Sequence, residues 1–285
     1  MTPRTPPPPP PPDNHVHSEW SWDAENGSME RTCARAVEIG LPSIAFTEHA
    51  DFTPWEIPAD SADPPPSSLI GPDGLFRPTG LDVDGYLACL ERCRDRFPSL
   101  RILSGVELGE AHWHRDKAAD LLAGNRFDRV LGSLHSLPSG TRYKEISGLY
   151  RERPAVQVVR EYLAEITTLV KQSDAFEVLA HIDYAIRYWP ADAGVYDPGA
   201  FEEEFRTALE ALASSGRALE VNTQIPLHPH VVRWWYEAGG EAVSFGSDAH
   251  EPALLAAGFS SAAAMVESAG FRPGRHPFDF WIRSR

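Results

Sequence analysis

The chain has 285 residues, 42% of them hydrophobic, enough to build one large domain or at most two small ones. Its formal charge of −15 argues against a general nucleic-acid binder, which needs a basic face, and obliges any phosphate site to carry positive charge of its own. Three cysteines, Cys33, Cys89 and Cys93, are too few for a disulfide framework or a zinc ribbon and read as core thiols in a reducing cytoplasm.

In chain order, residues 1–12 are a proline tract expected to be a disordered, solvated leader without the apolar stretch of a signal peptide. No run of about 18 apolar residues follows, so no membrane span is expected. From residue 13 onward short apolar runs alternate with amphipathic ones. Strands are predicted at 14–17, 43–47, 101–107, 129–135, 175–181, 218–222 and 242–246, with helices between them at 27–39, 82–97, 155–172 and 200–214. The helix at 200–214 carries Phe201, Phe205, Leu209 and Leu212 on one face, and Cys89 and Cys93 lie four apart on another helix. Strands and helices in this alternation build right-handed βαβ units and a parallel sheet, and seven strands suit a barrel. Residues 53–80, rich in Pro, Gly and Ser, are too long for an ordinary connection and read either as a lid above the barrel or as disorder.

Titratable residues gather at the ends of these strands. His15 and His17 close the first, His49 the second, Glu107 the third, His135 the fourth and His181 the fifth, while Asp248 and His250 follow the seventh. Parallel barrel strands bring their C-terminal ends to one rim, so these side chains are expected to meet there. Residues two apart on a strand point the same way, which lets His15 and His17 share one ion. Imidazoles and carboxylates without thiolates favour Zn²⁺, Mn²⁺ or Fe.

The motifs in order are His-Val-His-Ser at 15–18, Thr-Glu-His at 47–49, Gly-Val-Glu at 105–107, Gly-Ser-Leu-His at 132–135, His-Ile-Asp at 181–183, Glu-Val-Asn-Thr at 220–223 and Gly-Ser-Asp-Ala-His at 246–250. Together they resemble the PHP (polymerase and histidinol phosphatase) domain from Asp13 to about Phe280, and in particular its monofunctional histidinol-phosphate phosphatases. The resemblance implies a single-domain α/β fold, a distorted (β/α)7 TIM-like barrel over residues 13–285, holding three divalent metal ions. It assigns His15, His17, Glu107 and Asp248 to the first ion and Asp23, His49 and His250 to the second. His135 and His181 take the third, with Glu107 bridging. Asp23 comes from the resemblance alone. Three divalent ions carry +6 and Asp23, Glu107 and Asp248 carry −3, so the site stays positive inside an acidic protein.

The implied reaction is hydrolysis of a small phosphomonoester by water activated on the metals, with L-histidinol phosphate, a step of histidine biosynthesis, as the favoured substrate. Asp248 and His250 are the candidate proton carriers. Arg187 is a candidate phosphate clamp, and Arg142, with Lys144, a second basic group for the pocket. Trp20 and Trp22 would either wall the substrate or pack in the core. Glu48 and Asp51 are candidates for fixing the His49 tautomer. His112 and His114 read as loop or first-turn residues, His228 and His230 as a helix start, and His276 as solvated. Three other readings remain: a PHP phosphoesterase or exonuclease acting on nucleotides or nucleic-acid ends, an amidohydrolase, and a degenerate PHP barrel that binds without catalysing. The fourth strand ends in His135 rather than a lysine, which disfavours the amidohydrolase.

Overall fold

The computed structural model describes residues 10–57, 67–124 and 126–284. In chain order its strands are β1 (Asp13–Val16), β2 (Ser43–Ala50), β3 (Trp55–Glu56), β4 (Leu75–Phe76), β5 (Arg101–Gly109), β6 (Arg129–Ser133), β7 (Ser136–Ser139), β8 (Arg142–Glu145), β9 (Val178–Leu179), β10 (Ala218–Asn222), β11 (Ala242–Gly246), β12 (Phe271–Arg272) and β13 (Trp281–Arg283). The helices are α1 (Met29–Ile39), α2 (Val83–Arg96), α3 (Arg115–Leu122), α4 (Ile146–Leu149), α5 (Ala155–Gln172), α6 (Glu202–Ser214), α7 (Pro229–Glu237) and α8 (Phe259–Ser268).

The main sheet runs β1-β2-β5-β6-β9-β10-β11-β13-β12. The first seven of these strands are parallel and each overlaps one of the seven predicted segments, although β9 keeps only two of the seven residues expected at 175–181. The sheet then continues through an antiparallel pair that the sequence reading did not include. The result is a curled nine-stranded half-barrel. Its two sides meet where the Asp248 amide donates to the His15 carbonyl at 2.8 Å and the His17 amide donates to the Ala249 carbonyl at 2.9 Å.

β2 is buried along its whole length and β5 nearly so, as befits parallel strands covered on both faces. Their register sets Ser43 opposite Arg101 and places His49 directly across from Glu107, so the pairing itself delivers two functional side chains to one rim. α5 buries Val158, Val159, Tyr162, Leu163, Ile166, Leu169 and Val170, the 3.6-period stripe of a helix laid on a sheet. α2 starts at the Asp82 cap, whose side chain accepts from Gly85 N, and buries Cys89 and Cys93 in one cluster with Cys33 of α1. Among the described residues no helix is long and apolar enough to cross a membrane.

Residues 53–80 are not a structureless connection: β3 and β4 lie within them and join β7 and β8 in a separate sheet ordered β4-β3-β8-β7, while residues 58–66 lie outside the described residues. The expected solvated leader at 1–12 falls outside the described residues up to residue 9, and Pro11 and Pro12 are buried at the start of β1.

Candidate metal centre

Glu107 sits at the centre of the rim with no side-chain exposure to speak of. Its Oε1 lies 2.7 Å from His181 Nε2 and 3.3 Å from His135 Nε2. Its Oε2 lies 3.0 Å from His49 Nδ1, 3.3 Å from His15 Nε2 and 3.5 Å from His17 Nε2. Asp248 Oδ1 approaches His17 Nε2 at 3.3 Å and His15 Nε2 at 3.6 Å. Asp23 Oδ2 lies 3.1 Å from both His49 Nε2 and His250 Nε2. The nine side chains singled out from the sequence are therefore contiguous. Four groups of three donor atoms are compact enough to hold an ion, namely His15/His17/Asp248, His15/Glu107/His181, His17/His49/His250 and His49/Asp51/His135.

The hydrogen bonds behind these imidazoles decide what their front faces offer. His15 Nδ1 gives its proton to Glu220 Oε1 at 2.6 Å, His135 Nδ1 to Asp51 Oδ1 at 2.9 Å, and His250 Nδ1 to the Asp248 carbonyl at 2.9 Å. His17 Nδ1 lies 2.9 Å from Ser21 Oγ, and that hydroxyl spends its own proton on Glu48, so the serine oxygen accepts from the imidazole. With each rear nitrogen protonated, Nε2 of all four rings presents a lone pair to the centre. In their neutral forms His15 Nε2 and His17 Nε2 stand 3.0 Å apart as two acceptors, a pairing that a proton or a cation must relieve. Glu107 Oε2, His49 Nδ1 and Asp23 Oδ1 are also buried without a hydrogen-bond partner. Buried acceptors facing one another are costly unless a cation sits among them, so the donor set fits divalent metals. Imidazole and carboxylate donors suit Zn²⁺, Mn²⁺ or Fe.

Ionisation splits the cluster: against burial, neighbouring carboxylates raise the pKa of His15, His49, His135 and His250, so protons compete with cations for these rings. Burial, together with neighbouring His49 and His250, lowers the His17 pKa to about 3, leaving that ring neutral. Burial opposes ionisation of Glu107 and Asp248, but His15 and His135 outweigh it for Glu107, and Arg187 and His15 outweigh it for Asp248. Both carboxylates are held well below their usual range. Asp248 itself has a left-handed backbone, φ 54°, a conformation held by its amide bond to His15.

Of the residues beyond the ions, Arg187 is at the site: its Nη2 lies 2.6 Å from Asp248 Oδ2, on the wall of a cavity of about 990 Å³ that opens above the cluster. Arg142 is not. It lies on the β7–β8 hairpin, half exposed, with Nη1 2.9 Å from Glu56 Oε1, and it is absent from the cavity wall; closeness to His135 in sequence was no guide because the hairpin leads away from the rim. Lys144 is likewise paired with Glu56 and Glu152. Trp22 lines the cavity with Trp55 and Phe76 and donates to Asp51, whereas Trp20 packs against Gly85 of α2. Glu48 does not touch the His49 ring; it takes the Ser18 amide and the Ser18 and Ser21 hydroxyls, pinning the loop after β1. Asp51 serves His135 at 2.9 Å more closely than His49 at 3.5 Å. His112 and His114 hydrogen-bond Glu165 and Thr53 away from the cluster, and His228 caps α7.

Sequence reading gave Glu220 no role, yet it accepts from the His181 amide at 2.7 Å as well as from His15. An acid between Leu219 and Val221 in a buried strand was the available signal. Gly246, opposite Asn222 on β11, leaves room for this carboxylate, since a Cβ there would collide with Glu220 Oε1 and fall 2.5 Å from His15 Cβ.

Because the ions would bridge strands from both sides of the curl, chelation is expected to lower the melting temperature by about 10 °C, as expected for roughly 4 kcal/mol of lost binding free energy. Added Zn²⁺ or Mn²⁺ should restore it in a thermal melt; an unchanged melt at zero metal content would count against the cluster.

The chain is 25% identical over 267 residues to the histidinol-phosphatase of Lactococcus lactis, covering 91% of each, and 24% identical over 275 residues to a probable histidinol-phosphatase of Clostridium acetobutylicum, covering 92% and 94%. A probable histidinol-phosphatase of Thermotoga maritima is 26% identical over 247 residues, 84% of each chain. The fold matches the crystal structure of the Lactococcus lactis histidinol phosphate phosphatase, solved with zinc, L-histidinol and phosphate, at a TM-score of 0.77, 24% identity and coverage of 92% of this chain and 94% of that one. A putative histidinol phosphatase from Listeria monocytogenes matches at 0.68, with 18% identity and coverage of 88% and 99%. The PHP domain model matches residues 13–224, and the chain belongs to that family.

Proposed function

We propose that this protein is a metal-dependent phosphatase that hydrolyses L-histidinol phosphate to L-histidinol and phosphate, a cytoplasmic step of histidine biosynthesis. One observation carries the reading: imidazole lone pairs and the carboxylates of Asp23, Glu107 and Asp248 converge on one point beside the Arg187 guanidinium. The names of the relatives, each matched over most of its length, supply the substrate.

Three ions of the zinc, manganese or iron type would be held by His15, His17, Glu107 and Asp248, by Asp23, His49 and His250, and by His135, His181 and Glu107. When bound, such ions polarise phosphoryl oxygens and bring the pKa of water towards neutrality. The protein does the rest. Glu220, Asp51 and Ser21 hold the imidazoles in the tautomer that keeps their front nitrogens unprotonated. Arg187 binds a phosphate oxygen and steadies the charge that builds there. The oxygen of water joins phosphorus, the ester P–O bond breaks, and the proton that water sheds is relayed along the Asp248–His250 side of the cavity to the leaving alkoxide. His250 suits that task because its side chain is 25% exposed, the most open imidazole of the cluster.

The test is a phosphate-release screen over small phosphomonoesters with Zn²⁺ or Mn²⁺ supplied. Histidinol phosphate is expected to give the highest kcat/KM, about 10⁴ M⁻¹ s⁻¹ or above. A metal-loaded protein that releases no phosphate from any ester would overturn the reading.

A further inference from the structure

The cavity wall holds a carboxylate that the proposed metal donors do not use. Glu145 ends β8 and caps α4: its Oε2 accepts from the Ser147 amide at 2.8 Å and from the Ser147 hydroxyl, and its Oε1 accepts from the Tyr184 hydroxyl at 3.2 Å. Among the described residues these partners are all neutral, and Glu145 forms no ion pair with an arginine or lysine. The Tyr184 ring lies 5.0 Å from the His181 ring and 5.2 Å from the His135 ring, so Glu145 stands one tyrosine ring away from the metal donors, facing the same cavity. Of the other acids on this wall, Asp23, Glu107 and Asp248 belong to the proposed metal set, Glu25 is exposed, and Glu251, half-buried like Glu145, makes no side-chain bond to the turn it precedes.

Arg187 and the cations mark the end of the cavity where a phosphate would lie. Glu145 marks the opposite polarity across the Tyr184 ring, whose centroid lies 5.0 Å from the Arg187 guanidinium and whose hydroxyl lies 3.2 Å from Glu145. A half-buried carboxylate fixed by three neutral donors gains when a cation reaches it, because the bond is then charge-assisted on both sides. A molecule that satisfies both ends is a phosphomonoester whose carbon chain bears a protonated amine close to the ester oxygen.

We propose that Glu145, oriented by Ser147 and Tyr184, is the subsite for the substrate's ammonium group and confines the enzyme to phosphomonoesters of amino alcohols. This rests on the phosphatase reading above. Glu145 is a specificity residue: it holds the organic cation and takes no part in breaking the P–O bond. Charge recognition of this kind rejects a substrate lacking the charged group, since the half-buried carboxylate is then left without its charged partner.

The test compares kcat/KM of the metal-loaded enzyme for L-histidinol phosphate with that for its deaminated analogue, imidazolylpropyl phosphate, in the wild type and in Glu145→Gln. The wild type is expected to favour the aminated ester by roughly 100-fold or more. In Glu145→Gln that ratio should fall below about fivefold, with the loss carried by a raised KM for the aminated ester and with metal content unchanged. Glu145→Asp, which keeps the charge but draws it back, should retain part of the ratio, and it carries the test if the glutamine variant folds poorly. A ratio that survives in both variants, or an equal loss on both esters, overturns the inference while leaving the phosphatase reading intact. O-Phosphoethanolamine separates the two claims the other way. If it is hydrolysed with the same dependence on Glu145 while histidinol phosphate is not, the histidinol reading fails and the subsite stands. Failure on every ester overturns both.

Discussion

Asp248→Ala is expected to lower kcat/KM for phosphate release by about 10³-fold or more while leaving a folded protein, and His17→Ala should do the same. The Asp248 carboxylate has two tasks at once: Oδ1 faces His15 and His17, and Oδ2 lies 2.6 Å from Arg187. Alanine removes a metal donor and releases the guanidinium in a single step, so the loss exceeds what either contact alone would give. His17 is neutral, buried and ringed by His49 and His250 at centroid distances of 4.2 and 4.3 Å, so its removal strips a donor from the middle of the cluster. Metal analysis alongside steady-state rates checks both variants, and circular dichroism checks the fold. Wild-type turnover in either one would end the assignment of these residues to the ions.

The second large effect is expected at Arg187. Its guanidinium is buried and packs 5.0 Å from the Tyr184 ring centroid, and burial, which alone would weaken the charge, is outweighed by Asp248, so the group stays charged. Arg187→Ala should cost about 10² in kcat/KM, within the range for losing a charge-assisted contact in a site shielded from water. Arg187→Lys should recover only part of this, because an ammonium cannot reproduce the planar fork that meets Asp248 and a phosphate oxygen together. The companion measurement is inhibition by inorganic phosphate. Its Ki should rise in both variants if Arg187 binds phosphate, and should stay put if the residue only neutralises Asp248.

Much of this was legible in the sequence, for a reason rooted in topology. Parallel strands put their C-terminal ends on one rim, so His49, Glu107, His135 and His181 could be grouped before any coordinates, and the β2–β5 register shows how literally that holds for the first pair. Asp23 was different. It lies in a turn after β1, where no periodicity points anywhere, and only resemblance selected it. The small second sheet was missed because two-residue strands such as β3 and β4 show no alternation and lie in a segment dominated by turn formers. Arg142 misled because a hairpin can carry a residue far from its sequence neighbour. Glu220 went without a role since a carboxylate serving an imidazole from behind leaves the same trace as any buried acid until the partner's position is known.

The first and seventh parallel strands, separated by more than two hundred residues of chain, touch through the Val16–Ala249 bridge and two flanking amide bonds rather than a full ladder. His15 and His17 stand on one side of that seam, Asp248 and His250 on the other. A cation held across that seam would work as a rivet as well as a reagent, fastening together the two ends of the curled sheet. Amides along the joint should accordingly exchange hydrogen faster than the rest of the sheet once the rivet is withdrawn, and the groups that cut phosphate should lose their alignment at the same moment the joint works loose.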